Sequence, residues 1–138
     1  MTQLKEIAGD HVVRVPVPAQ GTAGTDEFYT LLVADRAIEI TGVSITWDAA
    51  ITGAATNHCA FQAVNKGAAG AGTTGVTAIK AYDSGVDAAA GVPQTLTLAT
   101  AEADRRLAAG DVLVLNRTTP GSGLASPHGL CEVKFRYR

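Results

Sequence analysis

Aromatic residues are scarce in this chain: three Phe, one Trp and three Tyr among 138 residues. Sugar-binding platforms usually expose several rings, and a core that takes its share here leaves few to expose. Cysteine is scarcer. Cys59 and Cys131 stand far apart, with no CxxC pair and no zinc-site spacing. Each sits in an apolar run, so buried free thiols are expected rather than a disulfide. The three histidines, His11, His58 and His128, fall on an early segment, a middle strand and a late loop. His58 has no second His beside it and no acidic residue before Asp83, so the paired ligands of a cupin-type enzyme are missing. No metal and no cofactor are expected. Long hydrophobic runs are missing too. No stretch approaches the roughly 18–20 apolar residues of a membrane-spanning helix. Met1 to Glu6 has no apolar signal-peptide core, so synthesis in the cytoplasm is expected.

Signatures of catalysis are equally thin. Gly121-Ser122-Gly123 lies in a Gly/Pro loop without the strand-turn-helix setting of a nucleophile elbow. Gly70-Ala71-Gly72-Thr73-Thr74-Gly75 has dinucleotide-like spacing but no following helix, and reads as a loop. Asp26-Glu27 and Glu102 with Asp104 lie in loop or corner segments and read as solvated charge. The expectation is a protein that is not an enzyme.

What the chain has in abundance is small residues: 25 Ala and 15 Gly. A thin core with close backbone contacts follows, and association between copies would help to bury the rest. Net charge is −2, which offers no bulk attraction to nucleic acid. The charge is lopsided, however. Residues 1–104 carry five basic and eleven acidic side chains, and residues 105–138 carry six basic and two acidic ones.

Strand grammar dominates the rest. His11 to Pro18 reads as extended chain that Pro16 and Pro18 confine to an edge or an arm. Residues 1–26 are taken as an extended arm and loop, and residues 27–138 as one β-domain. In Ile38 to Trp47 the apolar positions alternate as Ile38 and Ile40, then Val43, Ile45 and Trp47. The phase slips at Gly42, as at a β-bulge. Further strands are read at Phe28–Ala34, Asn57–Asn65, Val76–Tyr82, Gln94–Leu98, Asp111–Asn116 and Leu130–Tyr137, with one helical turn or a tight corner over Ala101–Leu107. About eight strands joined by Gly-rich loops predict an antiparallel β-sandwich, a jelly roll first and an immunoglobulin-like sandwich second. The expected core is Ile38, Ile40, Val43, Ile45, Trp47, Phe61, Leu113, Leu115, Val133 and Phe135.

Two segments carry a resemblance. Arg106-Leu107-Ala108-Ala109-Gly110-Asp111-Val112-Leu113 leads through a Gly/Pro loop to Gly129-Leu130-Cys131-Glu132-Val133, and Ile40–Ile45 precedes Phe61-Gln62-Ala63-Val64-Asn65. Over residues 36–138 this resembles the head decoration (capsid cement) proteins of tailed phages. The resemblance implies a jelly-roll or sandwich fold and a virion protein on the outer surface of the capsid. It also implies contacts with the major capsid protein and with the chain's own copies, commonly as a homotrimer, and no nucleic-acid or membrane partner. The alternative is a carbohydrate- or receptor-binding module of a phage fibre. From the charge asymmetry, interface candidates are Arg105, Arg106, Arg117, Lys134, Arg136 and Arg138 on a basic side, with Asp26, Glu27, Asp35 and Glu39 on an acidic side.

Overall fold

The computed structural model describes residues 9–21 and 26–138. Ten strands form two antiparallel sheets: β1 (His11–Val17), β2 (Glu27–Val33), β3 (Ile38–Trp47), β4 (Ala60–Asn65), β5 (Thr74–Gly75), β6 (Lys80–Ala81), β7 (Gln94–Leu96), β8 (Arg106–Leu107), β9 (Val112–Thr118) and β10 (Gly129–Tyr137). Among the described residues one 3-10 turn, Glu102–Arg105, makes the expected helical turn or corner. The first sheet runs β1-β10-β3-β7, with β8 also on β3; the second runs β2-β9-β4-β5, with β6 also on β4. Taking β5 with β6 and β7 with β8 as interrupted single strands leaves eight, in the orders 1-8-3-6 and 2-7-4-5. That is the jelly-roll order, and it sets the immunoglobulin alternative aside.

The phase slip in β3 is a bulge. Gly42 pairs with Lys134 and Ile40 with Phe135, so Thr41 has no opposite number. The extra residue lets Ile38 and Ile40 on one side of it, and Val43, Ile45 and Trp47 on the other, all point into the core. Trp47, Phe61 and Tyr82 meet there, with Trp47 and Phe61 centroids 4.9 Å apart and the Trp47 indole N–H donating to the Tyr82 hydroxyl at 2.9 Å. Gly129 starts β10 against this cluster. A Cβ there would lie 2.7 Å from the Trp47 ring, so only glycine fits. Nine of the ten expected core residues are buried. Phe135 is half-buried: it stacks on His11 of the edge strand at 5.5 Å, where the interior opens toward solvent.

Two expectations need correction. His11–Val17 is no free arm but an edge strand of the sandwich, paired along its whole length with Gly129–Phe135. Val13, Val15 and Val17 turn inward at every second position, which gives this segment a reason to dock. Residues 1–8 and 22–25 of the expected arm lie outside the described residues. The run Val76–Tyr82 is also not one strand. Its middle bonds to the other sheet, Ala78 N to Thr97 O at 2.7 Å and Ala99 N to Val76 O at 2.8 Å, and so closes the sandwich on that side. The chain exposes 7009 Å², close to the ~6,700 Å² expected of a monomer of its mass.

Candidate interaction surface

The sandwich brings Glu39 and Glu102 of the acidic first part against Arg105, Arg106 and Arg136 of the basic last part within one copy. β3 lies between β10 and β8, which places Arg136 and Arg106 opposite Glu39 in register. Glu39 is only 5% exposed, because the turn Glu102–Arg105 and β8 cover it. Its carboxylate accepts from Arg136 at 2.7 and 3.1 Å and stands 3.6 Å from Arg105. The Arg136 hydrogen bonds hold this carboxyl below its ordinary range, against the opposing effect of burial. Arg105 also donates to the Ala99 carbonyl at 2.9 Å, and Arg106 pairs with Glu102.

Arg117 is the second buried charge, at 1% exposure. It follows Leu113 and Leu115 on the inward face of β9. Its guanidinium donates to Ser126 Oγ at 3.2 Å, to the Leu124 carbonyl at 2.9 Å and to the Gln20 side chain. Beside it, the Tyr29 hydroxyl donates to Glu27; burial first, and then this partner, push the phenol pKa up. Glu39 and Arg117 are therefore corrections to the interface reading. Each is enclosed within one copy and has no surface to offer another.

The remaining candidates divide. Asp26 accepts from the backbone N–H and hydroxyl of Thr119 at 2.8 and 2.9 Å, which fixes the loop after β9. Asp35 lies 3.8 Å from its neighbour Arg36. Arg138 is exposed at the chain end, where its backbone N–H donates to Ala37. Lys134 is exposed on the outer face of the first sheet, 4.0 Å from Glu132, which also takes Arg14 at 3.0 Å.

That outer face carries a feature with no counterpart among the sequence candidates other than Lys134. A groove of about 440 Å³ runs along β3, floored by Thr41, Gly42, Ser44 and Thr46 and walled by Leu130, Glu132 and Lys134 on one side and Pro93 and Thr95 on the other. Val12 and Leu130 stand beside it at 41% and 40% exposure. The signal was present in period 2: small residues at alternate positions of β3 beside larger ones at alternate positions of β10.

Other chemistry does not converge. Among the described residues no group of three or more His, Cys, Asp or Glu is placed to hold a metal. His128 accepts from the Ala19 N–H at 3.2 Å, while His11 packs between Phe135 and Tyr137. Cys59 and Cys131 are free and buried, and burial pushes both thiols up, Cys131 to about 12. No described helix is long and apolar enough to cross a membrane.

Neither a family model nor a curated protein matches the chain. Among solved structures, a chain of infectious bursal disease virus, Gx strain, is similar at 12% identity and a TM-score of 0.42, over 93% of this chain and 32% of that one. A chain of the Gt strain of the same virus is similar at 11% identity and a TM-score of 0.33, over 94% of this chain and 33% of that one. This chain thus spans about a third of the length of the chains it matches.

Proposed function

We propose that this chain is a structural, non-enzymatic protein of a tailed-phage virion, decorating and stabilising the outer surface of the capsid. It binds the major capsid protein and its own copies, as a homotrimer. The observation that carries this reading is how the jelly roll uses its polar side chains. Glu39, Arg117, Asp26 and Asp111 hold strands and loops together. Asp26 and Arg117 border a cleft of about 250 Å³ beside Phe28 and Lys66, Glu39 and Asp111 stand apart from it, and large apolar side chains stand out on the strand faces. Such a molecule acts by shape and contact. The sequence resemblance over residues 36–138 points the same way. The test is cosedimentation with capsids of the source phage stripped of this protein. Saturable binding that raises their resistance to heat is expected; no binding at any ratio overturns the reading.

One observation favours a second reading, a carbohydrate- or receptor-binding module of a fibre. Phe28 is 55% exposed on β2, with Lys66 5.3 Å from its ring centre and Asn116 opposite it in register. A ring edged by polar side chains can stack on a sugar. Glycan-array binding that Phe28→Ala abolishes would favour this reading over decoration.

A further inference from the structure

Lys134, an interface candidate that remains exposed, and three aspartates outside that set lie on two separate parts of the surface. On the outer face of the first sheet, Arg14 and Lys134 share Glu132, at 3.0 and 4.0 Å, and Asp10 accepts from the Thr41 hydroxyl at 3.2 Å, so Lys134 has no close carboxylate of its own beside the β3 groove. At the Trp47 end of the sandwich the balance is reversed. Asp48, Asp83 and Asp87 lie there, and none of them takes part in any of the six ion pairs among the described residues.

These carboxylates belong to a built tip. Ile51 and Ala88 exchange backbone hydrogen bonds at 2.9 Å in each direction, and the Gly91 N–H donates to the Trp47 carbonyl at 2.8 Å. The two loops are thereby tied to each other and to the end of β3. Asp87 accepts from the Gly53 N–H at 2.8 Å, whereas Asp48 is exposed and makes no side-chain hydrogen bond among the described residues. Beside the acids the tip exposes Ala49, Ala50, Ala89 and Ala90, followed by Gly91 and Val92, with Thr52, Ser84 and Gly85 also exposed. It is narrow, weakly apolar and acidic. The groove is floored by Gly, Ser and Thr, edged by Leu130, and carries Lys134 at one end of a lip that also holds Glu132.

We propose that the Asp48 tip of one copy seats in the β3 groove of a second copy, with Asp48 meeting Lys134 and the alanines of the tip lying against Leu130. The proposal rests on the reading of this chain as a protein whose copies meet one another. The patches differ, so the contact is heterologous, and repetition closes a ring where the rotation allows. The apolar contact supplies the holding and the charges set the orientation, since exposed pairs contribute little alone.

The test uses the full chain in sedimentation velocity up to about 1 mM. Self-association that weakens as salt rises is expected. Lys134→Glu and Asp48→Lys, both at exposed positions, should each weaken it about tenfold. The double variant should recover most of the loss, because the pair is restored with its sign exchanged. Thermal transitions matching the wild type's confirm that each variant is folded. A wild-type chain that stays monomeric throughout overturns the proposal. So does association that ignores both single changes, or a double variant no better than either one. Capsid binding by a chain that never self-associates would remove this interface and leave the decoration reading standing. Self-association without capsid binding would do the reverse.

Discussion

The two ends of the sandwich are built from the same materials and treat them differently. At the end where β3 finishes, three aromatic rings, Trp47, Phe61 and Tyr82, are fully enclosed, and the buried charge is Arg117, held by neutral oxygens. At the end where β3 begins, the rings of Phe135 and Tyr137 and the imidazole of His11 are half-buried, and the buried charge is Glu39, held by arginines that reach into solvent. Closure explains the difference. Around Trp47 the loops fold over the end: Gln20 bonds Ser126, Asp48 N bonds His128 O and Tyr82 N bonds Cys59 O. Around Phe135 the cover is an edge strand on one side and a 3-10 turn on the other. A cation can be enclosed where several fixed carbonyl and hydroxyl groups surround it. Where cover is thin, an anion is better served by mobile cations.

The comparison breaks most sharply at the rings. Phe61→Ala removes a fully buried ring packed at 4.9 Å against Trp47 and 6.2 Å from Tyr82. Chemical denaturation should show a loss of about 3–5 kcal/mol. Arg117→Ala comes next, at about 2–4 kcal/mol. The packing of the stem is lost, and the Leu124 carbonyl and Gln20 side chain lose their donor. Arg117→Lys should recover only part of this, since one ammonium cannot span three acceptors set for a planar fork. Phe135→Ala, at the open end, should cost about 1–2 kcal/mol by the same measurement, because solvent already reaches the ring. A cost equal to that of Phe61→Ala would mean that the two ends are closed alike.

How much of this was legible in the sequence depends on the range of the interaction. The bulge in β3 was, because it is local: a phase slip at Gly42 between two alternating runs has few other readings. So were the buried cysteines and the corner before β8. Arg117 was within reach. Leu113, Leu115 and Arg117 share one face, and carrying the alternation past Asn116 would have pointed the guanidinium inward. Glu39 was not. It does lie on the face of β3 opposite Ile38 and Ile40, but its burial comes from segments more than sixty residues downstream, and no local pattern announces them. The closure of one sandwich edge by Val76–Ala78 was hidden for a related reason. Its β-branched residues fit a strand equally well whether they pair within one sheet or bridge two.

The smallest effect, and the one specific to the open end, is a response to acid. Glu39 keeps its carboxyl ionised in the fold below its ordinary range, chiefly through the Arg136 hydrogen bonds. An unfolded glutamate titrates near ~4.3. The native state therefore binds the proton less readily than the unfolded chain does, and the stabilisation is present in full above that value. It fades as pH falls from about 5 through the depressed native value, where the carboxylate is neutralised and Arg105, Arg106 and Arg136 face one another without it. Other carboxylates titrate over the same range, so the effect is read as a difference. At neutral pH the Glu39→Gln protein should melt a few degrees below the wild type, and the two melting curves should converge as pH falls below the depressed native value. The loss at neutral pH should shrink with added salt, because Arg136 stands in solvent, where salt screens its attraction to the carboxylate and its repulsion of the other arginines. A gap that stays constant from neutral to acid pH would mean that Glu39 contributes by packing alone. The contrast between an end held by solvated charge and an end held by fixed dipoles would then fail.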